Sequence, residues 1–126
     1  MNNAIILVGE GGCGKTTLIK SFMRYFQGEQ SCFSLPEIIK SRFVLVMLLR
    51  PYINVTELGL NDFKLFKTDK WKSLVSGEKM VMDVKYKKPI IKSVQCDFVF
   101  TTCELPKGWK PTKAMRLKVF NINKLV

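Results

Sequence analysis

Gly9-Glu10-Gly11-Gly12-Cys13-Gly14-Lys15-Thr16 reads G-x-x-x-x-G-K-[ST] without a mismatch, and no other stretch limits so narrowly what this chain can become. Upstream, Ala4-Ile5-Ile6-Leu7-Val8 is a continuous apolar run of the kind expected for a strand buried on both faces. Downstream, Lys15 to Gln27 places Leu18, Ile19, Phe22, Met23 and Phe26 on one side at helical spacing. Strand, glycine loop and helix follow in the order that turns consecutive backbone N–H groups and a helix N-terminus toward an anion.

Gly11, Gly12 and Gly14 can adopt backbone angles that other residues avoid, which lets phosphate oxygens approach the main chain within hydrogen-bonding distance. Lys15 then reaches the β and γ phosphates as a point charge, and the Thr16 hydroxyl takes one position on Mg²⁺. The expected cradle for a nucleoside triphosphate is therefore Gly9, Gly11, Gly12, Cys13, Gly14, Lys15, Thr16 and Thr17. Glu10 and Cys13 serve as spacers, and the Thr17 side chain continues the helix. A chance glycine-rich turn would have to account for the Lys-Thr pair and for both flanking elements.

Length sets the next bound. A chain of 126 residues is one domain with a single core, short for a P-loop enzyme that carries its own substrate-recognition region. The longest purely apolar run, Phe43 to Leu49, is too short to span a bilayer, and the amino terminus lacks a basic segment followed by a signal-like apolar core. A soluble, intracellular protein with no membrane partner is expected. Cys13, Cys32, Cys96 and Cys103 form no CxxC pair and there is no histidine, so a reducing compartment is expected, without a zinc site or a disulfide framework. The formal charge is +11, and nine lysines lie between Lys64 and Lys92 against only Asp69, Glu78 and Asp83. Such a density attracts polyphosphate, nucleic acid above all; a solvated lysine-rich face is the competing reading.

Ser34-Leu35-Pro36-Glu37 resembles a helix start, with the helix running through Lys40. Arg42 to Leu49 then reads as the second buried strand, ended by Arg50-Pro51 because proline has no N–H for a ladder. Two strands flanking a helix give a parallel βαβ unit. Asn61 to Val75 is helical with an interruption near Thr68-Asp69, burying Phe63, Phe66, Trp71 and Leu74, and Gly77 closes it. Lys79 to Tyr86 alternates, Met80, Met82, Val84 and Tyr86 facing one way and Val81, Asp83 and Lys85 the other. Lys87-Lys88-Pro89 makes a basic turn and Ile90 to Val94 returns as the hairpin partner, leaving Tyr86, Lys87 and Lys88 at the tip. Asp97 to Thr102 is a third core strand. After a turn from Pro106 to Pro111, a short helical piece around Lys113 to Arg116 leads into a final strand, Lys118 to Ile122. The expected class is α/β, a mostly parallel sheet flanked by helices with a basic β-hairpin.

This order of elements resembles a superfamily 3 helicase, most nearly the parvovirus-type nonstructural replication proteins and similar small-genome replication initiators. The likeness covers nearly the whole chain. Beside the glycine loop it is carried by Leu74-Val75-Ser76-Gly77-Glu78, Val84-Lys85-Tyr86-Lys87-Lys88 and Val99-Phe100-Thr101-Thr102-Cys103-Glu104-Leu105-Pro106. The resemblance implies a P-loop NTPase core, AAA+-like, that uses ATP and Mg²⁺ and acts on DNA, single-stranded DNA before RNA, as a ring of subunits. It implies a nuclear location if the protein is of the parvovirus type. Residues 1–126 would form one such domain, without the oligomerisation helices that usually precede it. The helix and hairpin would be the B-prime motif, with Lys85, Lys87 and Lys88 lining a single-stranded-DNA channel. Met115-Arg116-Leu117-Lys118-Val119-Phe120 resembles the segment of the arginine finger, so Arg116 would stabilise charge on the γ phosphate of a neighbouring subunit. A plain surface arginine at a strand start is the alternative.

Two departures bear on catalysis. The family's Walker B strand ends in acids that hold Mg²⁺ and orient water, whereas Met47-Leu48-Leu49-Arg50-Pro51 has none, and Glu57 or Asp62 is the nearest candidate. Glu57 would reach the site only if its loop folds back. At the sensor position, where the family has asparagine, this chain has Cys103, whose thiol is a poor donor and acceptor. Phosphate affinity rests on the loop amides, Lys15 and Mg²⁺, so nucleotide binding should survive better than turnover. The expected function is an ATP-binding helicase core with impaired hydrolysis; a non-catalytic nucleotide- and nucleic-acid-binding relative and a small-molecule kinase are the alternatives.

Overall fold

The apolar run at the start of the chain is a strand, β1 (Ala4–Val8), paired in parallel at both edges and covered on both faces, and the covered faces explain why its side chains do not alternate with polar ones. The computed structural model describes residues 2–9, 30–41, 43–50 and 53–121. The elements after β1 are β2 (Gln30–Ser31), α1 (Leu35–Lys40), α2 (Val44–Met47) and β3 (Ile53–Glu57). A 3-10 helix (Leu60–Lys67), α3 (Asp69–Ser76), β4 (Lys79–Met82), β5 (Ile90–Ser93) and β6 (Asp97–Thr102) follow, then a 3-10 turn (Lys113–Met115) and β7 (Leu117–Asn121). Five strands form one parallel sheet in the order β2-β3-β6-β1-β7, and β4 and β5 form a separate antiparallel hairpin. The chain is thus an α/β protein with a mainly parallel sheet flanked by helices. Among the described residues, no helix is long and apolar enough to cross a membrane.

The main core lies on the sheet face that carries Ala4, Ile6, Val8, Phe98 and Phe100, and all the described α-helices contribute to it. Trp71 fills its centre, with ring centroids 5.0 Å from Phe66, 5.4 Å from Phe98 and 5.8 Å from Phe100, all edge-on. Its indole N–H donates to the Met115 carbonyl at 3.1 Å, so a fully buried tryptophan leaves no orphan donor. Leu7, Ile53 and Val99 form a smaller cluster on the opposite face.

Local chemistry accounts for the helix ends. Ser34 caps α1 in a reciprocal box with Glu37, and proline occupies the first turn. The helical stretch after Gly59 breaks where the sequence suggests, because the Thr68 side chain accepts from Trp71 N–H at 3.3 Å and starts a new helix. Gly77, at φ 79°, ends α3 in the left-handed region. Phe63, Phe66, Trp71 and Leu74 are all buried.

One expected strand is absent. The sequence predicts the second buried strand over Arg42 to Leu49, yet residues 44–47 are a helical turn, α2, followed by a bend. Val44, Leu45 and Leu48 point into the core while Met47 is 56% exposed, which is helical rather than pleated spacing. The second long strand of the sheet is β3 instead. Its polar Asn54 is fully buried, with Oδ1 accepting from Ser31 Oγ and Phe33 N–H, both at 2.8 Å, and Nδ2 donating to the Phe33 carbonyl at 2.9 Å. A parallel unit with intervening helices exists, but its strands are β2 and β3.

The chain's beginning is anchored by a second buried amide. Asn2 Nδ2 donates to the carbonyls of Leu74 and Val94, both at 2.8 Å, and Oδ1 accepts from Cys96 N–H at 3.2 Å. Its backbone N–H donates to the Val75 carbonyl at 2.9 Å. These bonds join the entry to β1, the end of α3 and the entry to β6.

Candidate functional site

In a parallel sheet every strand ends on the same edge, and loops leaving that edge beside a reversal of strand order form the usual ligand crevice. Here the chain leaves β1 for β2 and β3 on one side and returns at the end to β7 on the other. At the carboxyl edge Val8 stands level with Thr102, and Thr101 level with Glu57. The exits are bonded to each other: Gly9 N–H donates to the Thr102 carbonyl at 3.0 Å, and Leu58 N–H to the Thr101 carbonyl at 2.8 Å. Thr101 and Thr102 are buried, and the Thr102 hydroxyl donates to the Glu104 carbonyl at 2.9 Å.

Gly9, the first residue of the glycine motif, therefore leaves the sheet between β6 and β7. Gly11, Gly12, Cys13, Gly14, Lys15, Thr16 and Thr17 lie outside the described residues, as does the expected helix to Gln27.

Glu57 occupies a different place from the one the sequence suggests. It is not on a loop that must fold back but is the last residue of β3, exposed, on the same face as Ile53 and Val55. The segment ending in Arg50 without an acid is not a strand, and the strand that lies next to β6 ends in a carboxylate. Two inter-strand spacings separate β3 from β1, about 10 Å. Cys103 is the first residue after β6 and is exposed at the same edge.

Arg116 lies elsewhere. It precedes β7, whose Leu117 pairs with Ala4, so it sits at the amino edge, six residue steps or about 20 Å along the strands from Gly9. Its backbone is left-handed, φ 53°, and its N–H closes the short turn on the Lys113 carbonyl at 3.2 Å. With Asn2, Asn3, Lys113 and Lys118 it borders a cavity of about 710 Å³.

The basic hairpin is present but turns sooner than the alternation suggests. Its strands pair Lys79 with Ser93 through Met82 with Ile90, and residues 83–89 form the loop. Met82 is buried, while Val81 and Ile91 pair on the outer face, each about two-thirds exposed. Lys87 N–H donates to the Val84 carbonyl at 3.0 Å, so Lys85 and Tyr86 are the two central turn residues. Tyr86 has φ 63°, a conformation that strains a bulky side chain by about 1–3 kcal/mol. It is 94% exposed, and the Lys85 ammonium lies 5.5 Å from its ring centroid. Lys85, Lys87 and Lys88 are all exposed. Sequence reasoning puts Tyr86 at the tip without giving it a role; the signal available is an aromatic residue with lysines on both sides at a turn.

Two perturbed groups are structural. Lys70 donates to the carbonyls of Ile39 and Ser41 at 2.8 and 3.3 Å, closing the end of α1, and burial lowers its pKa. Burial, helped by the Asp97 charge, pushes the Cys96 thiol up to about 12, so it is no nucleophile.

A family model described as "Family of unknown function (DUF5906)" matches residues 7–116. No curated protein matches the chain. Among solved structures, "The A form apo structure of NrS-1 C terminal region-CTR" is similar with TM-score 0.65 and 17% identity, covering 95% of this chain and 29% of that one. "The apo structure of NrS-1 C terminal region (305-718)" gives TM-score 0.65 and 19% identity, with 94% and 29% covered. The chain spans less than a third of the length of these structures, and at such identity the likeness is one of fold.

Proposed function

This chain belongs to the DUF5906 family, a family of unknown function, and on that premise we propose that it is the ATP-binding core of a superfamily 3-type DNA helicase of a viral or virus-derived replication protein. The observation that carries the reading is the carboxyl edge: β1 delivers Gly9 of the G-x-x-x-x-G-K-[ST] motif beside Thr102 of β6, with Glu57 at the end of β3, the strand one place beyond. A P-loop core needs a phosphate cradle at one strand end and an acid at another on the same edge, and the presence of Gly9 and Glu57 on strand ends of one edge, with β6 between them, supports that reading.

The residues then divide the work. Amides of Gly11, Gly12, Cys13 and Gly14 hold phosphate oxygens, and Lys15 compensates charge on the β and γ phosphates. Mg²⁺, when bound, would draw charge from the same oxygens; the exposed Glu57 carboxylate and the Thr16 hydroxyl are hard oxygen donors of the kind it takes. Glu57 also orients the attacking water and accepts its proton. With an acid at the β3 end, Cys103 is the remaining departure, and hydrolysis is slowed rather than lost. Arg116, at the opposite edge, acts only on a neighbouring subunit's nucleotide. Lys85, Lys87 and Lys88 hold the phosphates of single-stranded DNA.

Cys103 favours a second reading, a relative that binds nucleotide and nucleic acid without turnover. Mant-ATP binding and ATP turnover, each with and without single-stranded DNA, separate the two. Glu57→Gln should retain binding and lower turnover about 100-fold or more, whereas Lys15→Ala should lose binding. Binding without any wild-type turnover supports the second reading; no nucleotide binding by the wild type refutes both.

A further inference from the structure

The hairpin tip holds an aromatic ring that the fold does not use. Tyr86 makes no core contact, being 94% exposed, and it adopts a left-handed backbone that asparagine or glycine would adopt without strain. The ring neighbour described for it is the Lys85 ammonium, which lies over the ring 5.5 Å from the centroid and, at 94% exposure of the tyrosine, leaves the ring accessible. On either side are exposed cations, Lys85 before it and Lys87 and Lys88 after it. An aromatic face among lysines is the combination that takes a base by stacking and its phosphates by charge.

We propose that Tyr86 is a stacking platform for an unpaired base of single-stranded DNA. It rests on the nucleic-acid part of the reading above and adds to it a contact that phosphate attraction does not provide. The turn closed by Lys87 N–H on the Val84 carbonyl fixes the backbone that carries the ring, so only the two side-chain torsions remain to be ordered on stacking. The Lys85 ammonium on one face and a base on the other sandwich the ring, while Lys87 and Lys88 reach the adjoining phosphates. Any base presents a flat face, so the contact ranks bases by stacking strength and reads no sequence.

The test compares two dye-labelled oligomers of about 16 units by fluorescence anisotropy: oligothymidylate, and a backbone of the same length with abasic sites throughout. Tyr86→Asn suits the left-handed turn and removes the ring, and Tyr86→Phe keeps the ring. Tyr86→Asn should weaken oligothymidylate binding about 5- to 150-fold and leave abasic binding unchanged. Tyr86→Phe should bind as the wild type does. The slope of log K against log salt should stay the same in Tyr86→Asn and fall by about 0.7 in Lys87→Gln. Equal losses on both oligomers, or no loss on either, overturn stacking. If Lys87→Gln lowers the slope while Tyr86→Asn changes nothing, the stacking inference alone falls; if the wild type binds neither oligomer, the lysine grip falls with it. A change in sedimentation of Tyr86→Asn without a change in DNA binding would assign the ring to self-association and also overturn the proposal.

Discussion

Replacing Asn2 by aspartate keeps the shape of the side chain and removes two donors, so it isolates what the buried amide contributes. In the wild type its NH₂ group satisfies the Leu74 and Val94 carbonyls, and its oxygen accepts from Cys96 N–H. Leu74 O has a further donor in Gly77 N–H at 3.3 Å. A protonated Asp at position 2 can still donate to one carbonyl, so the variant in acid loses one buried hydrogen bond, about 1–3 kcal/mol. An ionised one sets a carboxylate oxygen against carbonyl oxygens in a buried site, and its folded pKa rises above the unfolded value of about 3.9. A raised carboxyl pKa means that stability is present below the unfolded value and is lost as pH climbs through the folded one, by about 1.4 kcal/mol for every tenfold difference between the two acidity constants. Urea unfolding of Asn2→Asp and wild type, followed by tryptophan fluorescence between pH 4 and 8, measures the difference at each pH. The expected gap is about 1–3 kcal/mol in acid and widens toward pH 8. A gap that stays constant with pH, or one below about 0.5 kcal/mol throughout, would refute the assignment of both donors.

Trp71→Ala should destabilise by about 3–5 kcal/mol, because it empties the centre of the core and strands the Met115 carbonyl; Trp71→Phe, which loses mainly the hydrogen bond, should lose far less, both read by chemical denaturation. Cys96 should resist a thiol reagent at pH 8 until the protein unfolds, whereas the exposed Cys32 and Cys103 react in the folded state. Because the folded pKa of Cys96 is raised from 9.0 to about 12, its contribution to stability is intact below 9 and declines as pH rises toward 12, and Cys96→Ala should flatten that decline.

What the sequence discloses depends on whether a segment's burial follows a period. β1 and β6 are legible because short apolar runs bounded by polar residues make strands paired on both sides. The break at Thr68 is legible because a capping residue stands there. Phe43 to Leu49 misleads because an unbroken apolar run carries no period, and only packing shows that Met47 faces outward while Leu48 does not. β3 is hidden for the opposite reason: Asn54 reads as a surface residue until Ser31 and Phe33 are seen to satisfy its amide. Misplacing the strand misplaces the acid with it, so Glu57 looks remote in the sequence although it ends the strand beside β6. The hairpin is recognisable by alternation, but not its turn at Val84, because Tyr86 adopts a backbone that tyrosine seldom takes.

The strand order also governs the sequence of events during synthesis. Both neighbours of β1 are made last: Ala4 pairs with Phe98 and Leu117, so a strand that ends up hemmed in on two sides leaves the ribosome with neither partner yet in existence. At typical elongation rates the wait for β6 is roughly 5 to 20 s. Throughout it the nascent chain carries an uncovered stretch of isoleucine, leucine and valine, and holdase chaperones or early docking of that stretch on its own helices must bridge the delay.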